Sequence, residues 1–219
     1  MTTLILQPDA SGGIDTFFLG NNAIWTDLNW GITNRIQAGN GTSLTAARSR
    51  GLLKFNLAAL PSAAKVISAV LTLYCYDEAE ANDRNVSVHR ALTEWFEGIQ
   101  NEADPPAGED GSTYNRRNNN GSVVWAGGAG GGSGSDYAAV ATDTQLITTT
   151  GAFFDWDVTA DVEAWADGAA SNYGWFILGA ESFLNSRKNF RSSDVATESQ
   201  RPKLTIEYSI GRVHAIIFG

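Results

Sequence analysis

The sequence predicts an all-β fold, an antiparallel sandwich or jelly roll that carries one or two short cap helices. Short runs rich in β-branched and aromatic residues recur between clusters of Gly, Asn and Asp, and several alternate apolar with polar residues at a period of two. Helical character is confined to two stretches of one or two turns, too short for the crossovers of a parallel βαβ fold.

In chain order, "AKVISAVLTLYCY" (64–76) puts Leu71, Leu73 and Cys75 on one face and Val70, Thr72, Tyr74 and Tyr76 on the other. This reads as a strand buried on one side and partly covered on the other. "NVSVHRAL" (85–92) alternates with Val86 and Val88 inward, and "LTEWFEGI" (92–99) reads as a short helix closed by Gly98. In "FDWDVTADVEAWADGAASNYGW" (154–175), a strand at 153–158 would point Phe154, Trp156 and Val158 one way and Phe153, Asp155 and Asp157 the other. A helix follows, with Thr159 as its N-cap, Asp161 in its first turn, Val162 and Trp165 on one face, and Gly168 as its stop. The continuous apolar run "YGWFILGA" (173–180), which contains Trp175, suits a central strand. "KLTIEYSI" (203–210) alternates with Leu204, Ile206, Tyr208 and Ile210 on one face.

At 219 residues and 43% hydrophobic content, the chain suffices for one substantial core. The expected organisation is one domain over 1–209, containing a Gly-rich loop at 126–135, and an apolar tail at 210–219 that offers an assembly contact. "GGAGGGSGS" (127–135) has linker composition, but each flanking part alone is short of strands, so it reads as a long mobile loop within one domain. It lacks the lysine followed by a hydroxyl residue that a phosphate-binding loop needs.

A net charge of −9 argues against nucleic-acid binding, which needs a concentrated basic surface. No apolar stretch approaches the ~20 residues of a spanning helix, so no membrane insertion is expected. The one cysteine, Cys75, can form no intrachain disulfide and reads as a buried small hydrophobe. The N-terminal "MTTLILQPDASGG" lacks the basic region of a secretory signal, so the chain is expected to be soluble where it is made, in a cytoplasm.

The tryptophans of 154–175 pose the question of sugar stacking against core packing. Their positions favour packing: Phe154, Trp156, Val158, Val162, Trp165 and Trp175 form the expected structural core, each large aromatic burying on the order of 150–250 Å². Tyr114, Trp125 and Tyr137 flank the Asn- and Gly-rich loops and are the candidates for exposed contact. Arg116 and Arg117, together with Arg187, Lys188 and Arg191 in "NSRKNFRSS", are candidate anion ligands, because guanidinium groups take carboxylates in two-point geometry. The competing reading pairs these cations with the protein's own acids. His89 and His214 have no metal-ligand partner at helical spacing, and no catalytic constellation is evident. No cofactor is expected beyond a structural calcium, for which Asp157 and Asp161 are the candidates.

"RGLLKFNLAALPSAAKVISAVLTLY" from Arg50, "WDVTADVEAWADGAASNYGWFIL" and "FRSSDVATESQRPKLTIEY" are joined by "DTFFLG" from Asp15 and "TYNRRNNNGSVVWAGGAGGGSGSDY". Over residues 4–209 this ordered series resembles the DNRLRE-type domain, a β-sandwich related to alginate-associated carbohydrate-binding modules and disaggregatase-related repeats. The resemblance implies a non-catalytic, extracellular binding or structural module, some of whose relatives bind acidic polysaccharide.

Two readings follow. The first is a bacteriophage virion component, a capsid decoration or tail-associated protein assembled in the host cytoplasm and partnered by other virion proteins or itself. The second is an extracellular carbohydrate-binding module or adhesin that recognises an acidic cell-surface polysaccharide.

Overall fold

The computed structural model describes residues 1–20, 23–41 and 48–210. The expected tail contact and His214 lie outside the described residues, except Ile210, which is exposed at the end of the last strand. In chain order the strands are β1 (Thr2–Leu6), β2 (Ile14–Gly20), β3 (Arg35–Asn40), β4 (Arg48–Lys54), β5 (Ala64–Glu78), β6 (Arg84–Arg90), β7 (Arg116–Asn118), β8 (Val123–Val124), β9 (Asp143–Ile147), β10 (Ala152–Asp157), β11 (Trp175–Leu178), β12 (Lys188–Arg191) and β13 (Lys203–Ile210). The helix α1 spans Thr159–Ala166. Among the described residues no helix is long and apolar enough to cross a membrane.

Two antiparallel layers form a curled sandwich. The first is built around the long strand β5, which pairs with β13, β10 and β12; β1 extends it beyond β13, and β12 joins it to β3. The second is built around β4, which pairs with β2 and β11, and continues through β6 to β9. Strand β3 links the layers, since Arg35–Ala38 pair with β12 while Gly39 and Asn40 pair with β4. Strands β9 and β10, which follow the Gly-rich segment, pair with β6 and β5, which precede it.

The period of two decides what each layer buries. Leu71, Leu73 and Cys75 of β5, Val86 and Val88 of β6, Ile177 of β11 and Leu204 and Ile206 of β13 meet between the layers, all fully buried. Trp156, Val158, Val162, Trp165 and Trp175 join them, with half-buried Phe154 packed alongside. Burial pushes the Cys75 thiol up to about 11, so it is an inert core group. Trp156 Nε1 donates to the Val86 carbonyl at 3.0 Å, and Trp165 lies 4.7 Å from Trp175, centroid to centroid.

Helix α1 is capped differently from the expectation. Val158 holds the N-cap position, and Thr159 is already helical. The carboxylate of Asp157 accepts from the Thr159 amide and hydroxyl at 2.9 and 2.6 Å, which holds its pKa below the usual carboxylate range. Asp161 turns inward: its Oδ2 accepts from Thr142 Oγ1 at 2.6 Å and Trp175 Nε1 at 2.8 Å, and Arg90 stands 3.5 Å from Oδ1.

The expected helix at 92–99 is absent. That stretch is drawn out because its partners are tertiary: Leu92 N donates to Asp136 O, Trp95 Nε1 to Tyr173 O, and Glu97 O accepts from Asn29 Nδ2. It opens the long β6–β9 connection, which folds over the outer face of the second layer. There Trp95, Trp125 and Tyr137 pack on Phe18, Leu52 and Phe176 as a second apolar cluster. Glycines let the backbone descend onto this cluster; a Cβ on Gly130, whose φ is +85°, would stand 2.5 Å from the Tyr114 ring.

Candidate functional site

The β6–β9 connection seals one outer face, so Trp125 and Tyr137, expected as exposed loop aromatics, are buried instead. Tyr114 is half-buried, edge-on to Phe18. The Gly-rich segment is fastened by buried side chains. Asp136, fully buried, accepts from the amides of Ala126, Gly127 and Gly132 at 2.8–2.9 Å, and Arg50 Nη1 donates to the carbonyls of Gly130 and Gly131. The Asn-rich stretch is equally committed: Asn119 Nδ2 donates to the carbonyls of Pro105, Pro106 and Glu109. Within it Arg116 donates to Asn119 and stands 3.5 Å from Asp27, and Arg117 donates to Glu94 O. These two arginines serve the loop's own structure.

The outer face of the first layer is different. Along β12 the alternation sends Lys188 and Phe190 inward, and Asn189 and Arg191 outward; Arg187, one residue before the strand, shares the outward parity. Lys188 is therefore no anion ligand: it is fully buried, and its Nζ donates to Glu78 Oε2 and the Asn82 carbonyl. Arg191 lies opposite Arg35 of β3 and stacks on Tyr76 of β5, its guanidinium 3.8 Å from the ring centroid. Arg35 also lies over Trp30 at 5.3 Å and Phe17 at 5.6 Å. Two residues back along β5, Tyr74 packs against Phe153 of β10 with centroids 4.9 Å apart, and Phe153 is 52% exposed. Burial raises the Tyr76 hydroxyl pKa, while the positive charges of Arg35, Arg191 and Arg187 oppose that rise, so all three arginines act on one phenol.

Among the described residues, Arg35, Arg187 and Arg191 make no ion pair, and the Nε of each has no hydrogen-bond partner. Asp77, on the neighbouring β5, accepts from Asn189 Nδ2 at 2.7 Å. The result is a row of guanidinium groups and aromatic rings on a sheet face. Such a row can pair carboxylates in two-point geometry and offer flat apolar surface to a sugar ring.

The row ends at a polar cleft of about 350 Å³ lined by Ile32, Thr33, Asn34, Arg35, Asn101, Glu102 and Asp194. Beneath it stands an acidic group that periodicity gave no reason to select: carboxylate oxygens of Asp15, Glu97 and Asp194 lie within 4.8 Å of one another. Asp15 Oδ2 accepts from Ser193 N at 2.9 Å, and Glu97 Oε1 accepts from Asp15 N at 2.8 Å. Burial pushes Asp15 up to about 7 and Glu97 up to about 8, and raises Asp194 as well. Of the calcium candidates, Asp157 is exposed and Asp161 is buried, each held by the donors described above.

The family model of the disaggregatase related repeat domain matches residues 29–206, a span that includes β3, β5, β10 and β12 and therefore every member of the arginine–aromatic row except Phe17. No curated protein matches the chain.

Proposed function

The chain belongs to the disaggregatase related repeat domain family, and on that footing we propose that it is a non-catalytic surface module that binds an acidic polysaccharide on the outer face of its first layer. Arg35, Arg187 and Arg191 pair with uronate carboxylates, and the Tyr74–Phe153 pair and Tyr76 carry the sugar rings. Kinship with the DNRLRE-type modules beside alginate-degrading enzymes is part of this reading.

The observation that carries the proposal is the convergence of three unpaired arginines on one aromatic sheet face. In a chain with net charge −9, a cation without an internal partner is out of balance with its surroundings. Each ion pair formed on an exposed face contributes only about 0.2–1 kcal/mol. Specificity and affinity therefore come from repetition: a polymer that presents a carboxylate on each residue engages several arginines at once.

Affinity electrophoresis of the intact chain against alginate, polygalacturonate and a neutral glucan tests this. Retardation in a uronate polymer, absent in the neutral glucan, is the expected outcome. Migration unchanged in every acidic polymer would overturn the proposal and favour the assembly role, a virion decoration or tail-associated protein.

A further inference from the structure

We propose that Asp15, Glu97 and Asp194 form a divalent-cation site for a hard, calcium-sized ion. The site lies outside the Asp157 and Asp161 positions that the sequence singles out, and it stands independently of the polysaccharide reading.

Geometry carries the assignment. Two oxygens bound to one ion at about 2.4 Å can be no more than about 4.8 Å apart, and the three carboxylates meet that limit while coming from three distant parts of the chain. Asp15 lies near the start of β2, Glu97 in the β6–β9 connection, and Asp194 just after β12. An ion there would tie these segments together.

The independent observation is Asp15 itself. It is 1% exposed, its Oδ1 has no hydrogen-bond partner among the described residues, and this oxygen belongs to a carboxylate already fixed at Oδ2 by Ser193 N. A buried, oriented acceptor left without a donor is a costly arrangement unless a cation or proton meets it. Asp194 Oδ2 and Ser193 Oγ are likewise without a partner; the Ser193 hydroxyl lies close enough to lower the Asp15 pKa, yet forms no well-aligned bond to it. Asp194 also lines the polar cleft, which supplies an entry path. All the donors are hard oxygens, with no sulfur or imidazole among them, and this selects calcium over zinc or copper.

The alternative occupant is a proton. At pH 8, Tb³⁺ titration with tryptophan-sensitised emission, and thermal unfolding in Ca²⁺ against EDTA, separate the two. The cation site predicts emission that saturates near one equivalent and is displaced by Ca²⁺. It also predicts a calcium-dependent rise in Tm that Asp15→Asn and Glu97→Gln abolish and Asp157→Asn leaves intact. Should Asp15→Asn fail to fold, Asp194→Asn, at the cleft, is expected to weaken Tb³⁺ binding at least tenfold while unfolding stays cooperative. No emission and no calcium response in the wild type, or a response that survives both Asp194→Asn and Glu97→Gln, would overturn the proposal. The polysaccharide is absent from the assay, so its failure leaves the arginine face untouched.

Discussion

Lys188 and Arg191, three residues apart, should fail in opposite ways when replaced. Lys188 is fully buried, and its partner Glu78 has a side chain only 14% exposed. Removing one partner of such a pair strands the other charge and costs about 3–5 kcal/mol. For a chain of this size that lowers Tm by roughly 6–20 °C, at about 2–4 °C per kcal/mol. Lys188→Met should show this loss in thermal and urea unfolding followed by tryptophan fluorescence. Adding Glu78→Leu should restore most of it, because an apolar pair of similar volume is often neutral or stabilising. Arg191→Ala should cost only about 0.5–1 kcal/mol, the worth of an exposed cation–π contact, and should act on polysaccharide binding instead. The reasoning is refuted if Lys188→Met unfolds like the wild type and loses binding, since Nζ would then face the ligand.

Three further outcomes follow from the same structure. Asp136→Asn should cost about 2–3 kcal/mol, because it disturbs three amide bonds to a charged acceptor; limited proteolysis should then cut faster within 126–135, and an unchanged rate would contradict the fastening. Trp156→Ala should cost about 3–5 kcal/mol, and Trp156→Phe about 1–3 kcal/mol through the stranded Val86 carbonyl, both read from urea midpoints. His89 is held below its usual value of 6.5, chiefly by burial and also by Arg50, against the bond to the Ala138 carbonyl. The unfolded chain therefore takes up the proton first, so this part of the stability is present above pH 6.5 and is lost as pH falls below it. NMR titration should place the His89 imidazole below 6.5, and a value above it would reverse the sign.

Strand periodicity made the fold legible. The alternation in β5, β6 and β13 predicts which residues meet between the layers, and the same period places Trp156 inward. Composition misled where tertiary partners govern the chain. Gly-rich and Asn-rich segments look like open loops, but a single buried Asp136 and a single Asn119 each organise several backbone groups that no local pattern reveals. That is why Trp125 and Tyr137 are buried: the connection carrying them is the lid of the second layer. In "NSRKNFRSS" the charge cluster was visible, but its division into inward Lys188 and outward Arg187 and Arg191 needs the strand register. Arg35 and Tyr76 reach the same row only through the β3–β12–β5 pairing, and Asp15, Glu97 and Asp194 meet across gaps of 82 and 97 residues that a linear reading does not span.

The most direct test of the binding face is calorimetric titration of the retained uronate polymer into two double variants. Arg187→Ala with Arg191→Ala removes two unpaired cations from the sheet face; Arg116→Ala with Arg117→Ala removes two that serve the loop. If each face arginine contributes about 0.7 kcal/mol, the first variant binds about tenfold more weakly. The second should bind within twofold of the wild type. Equal losses in both would show that overall charge, and not this face, holds the polymer, and unchanged binding in the first would contradict the account outright.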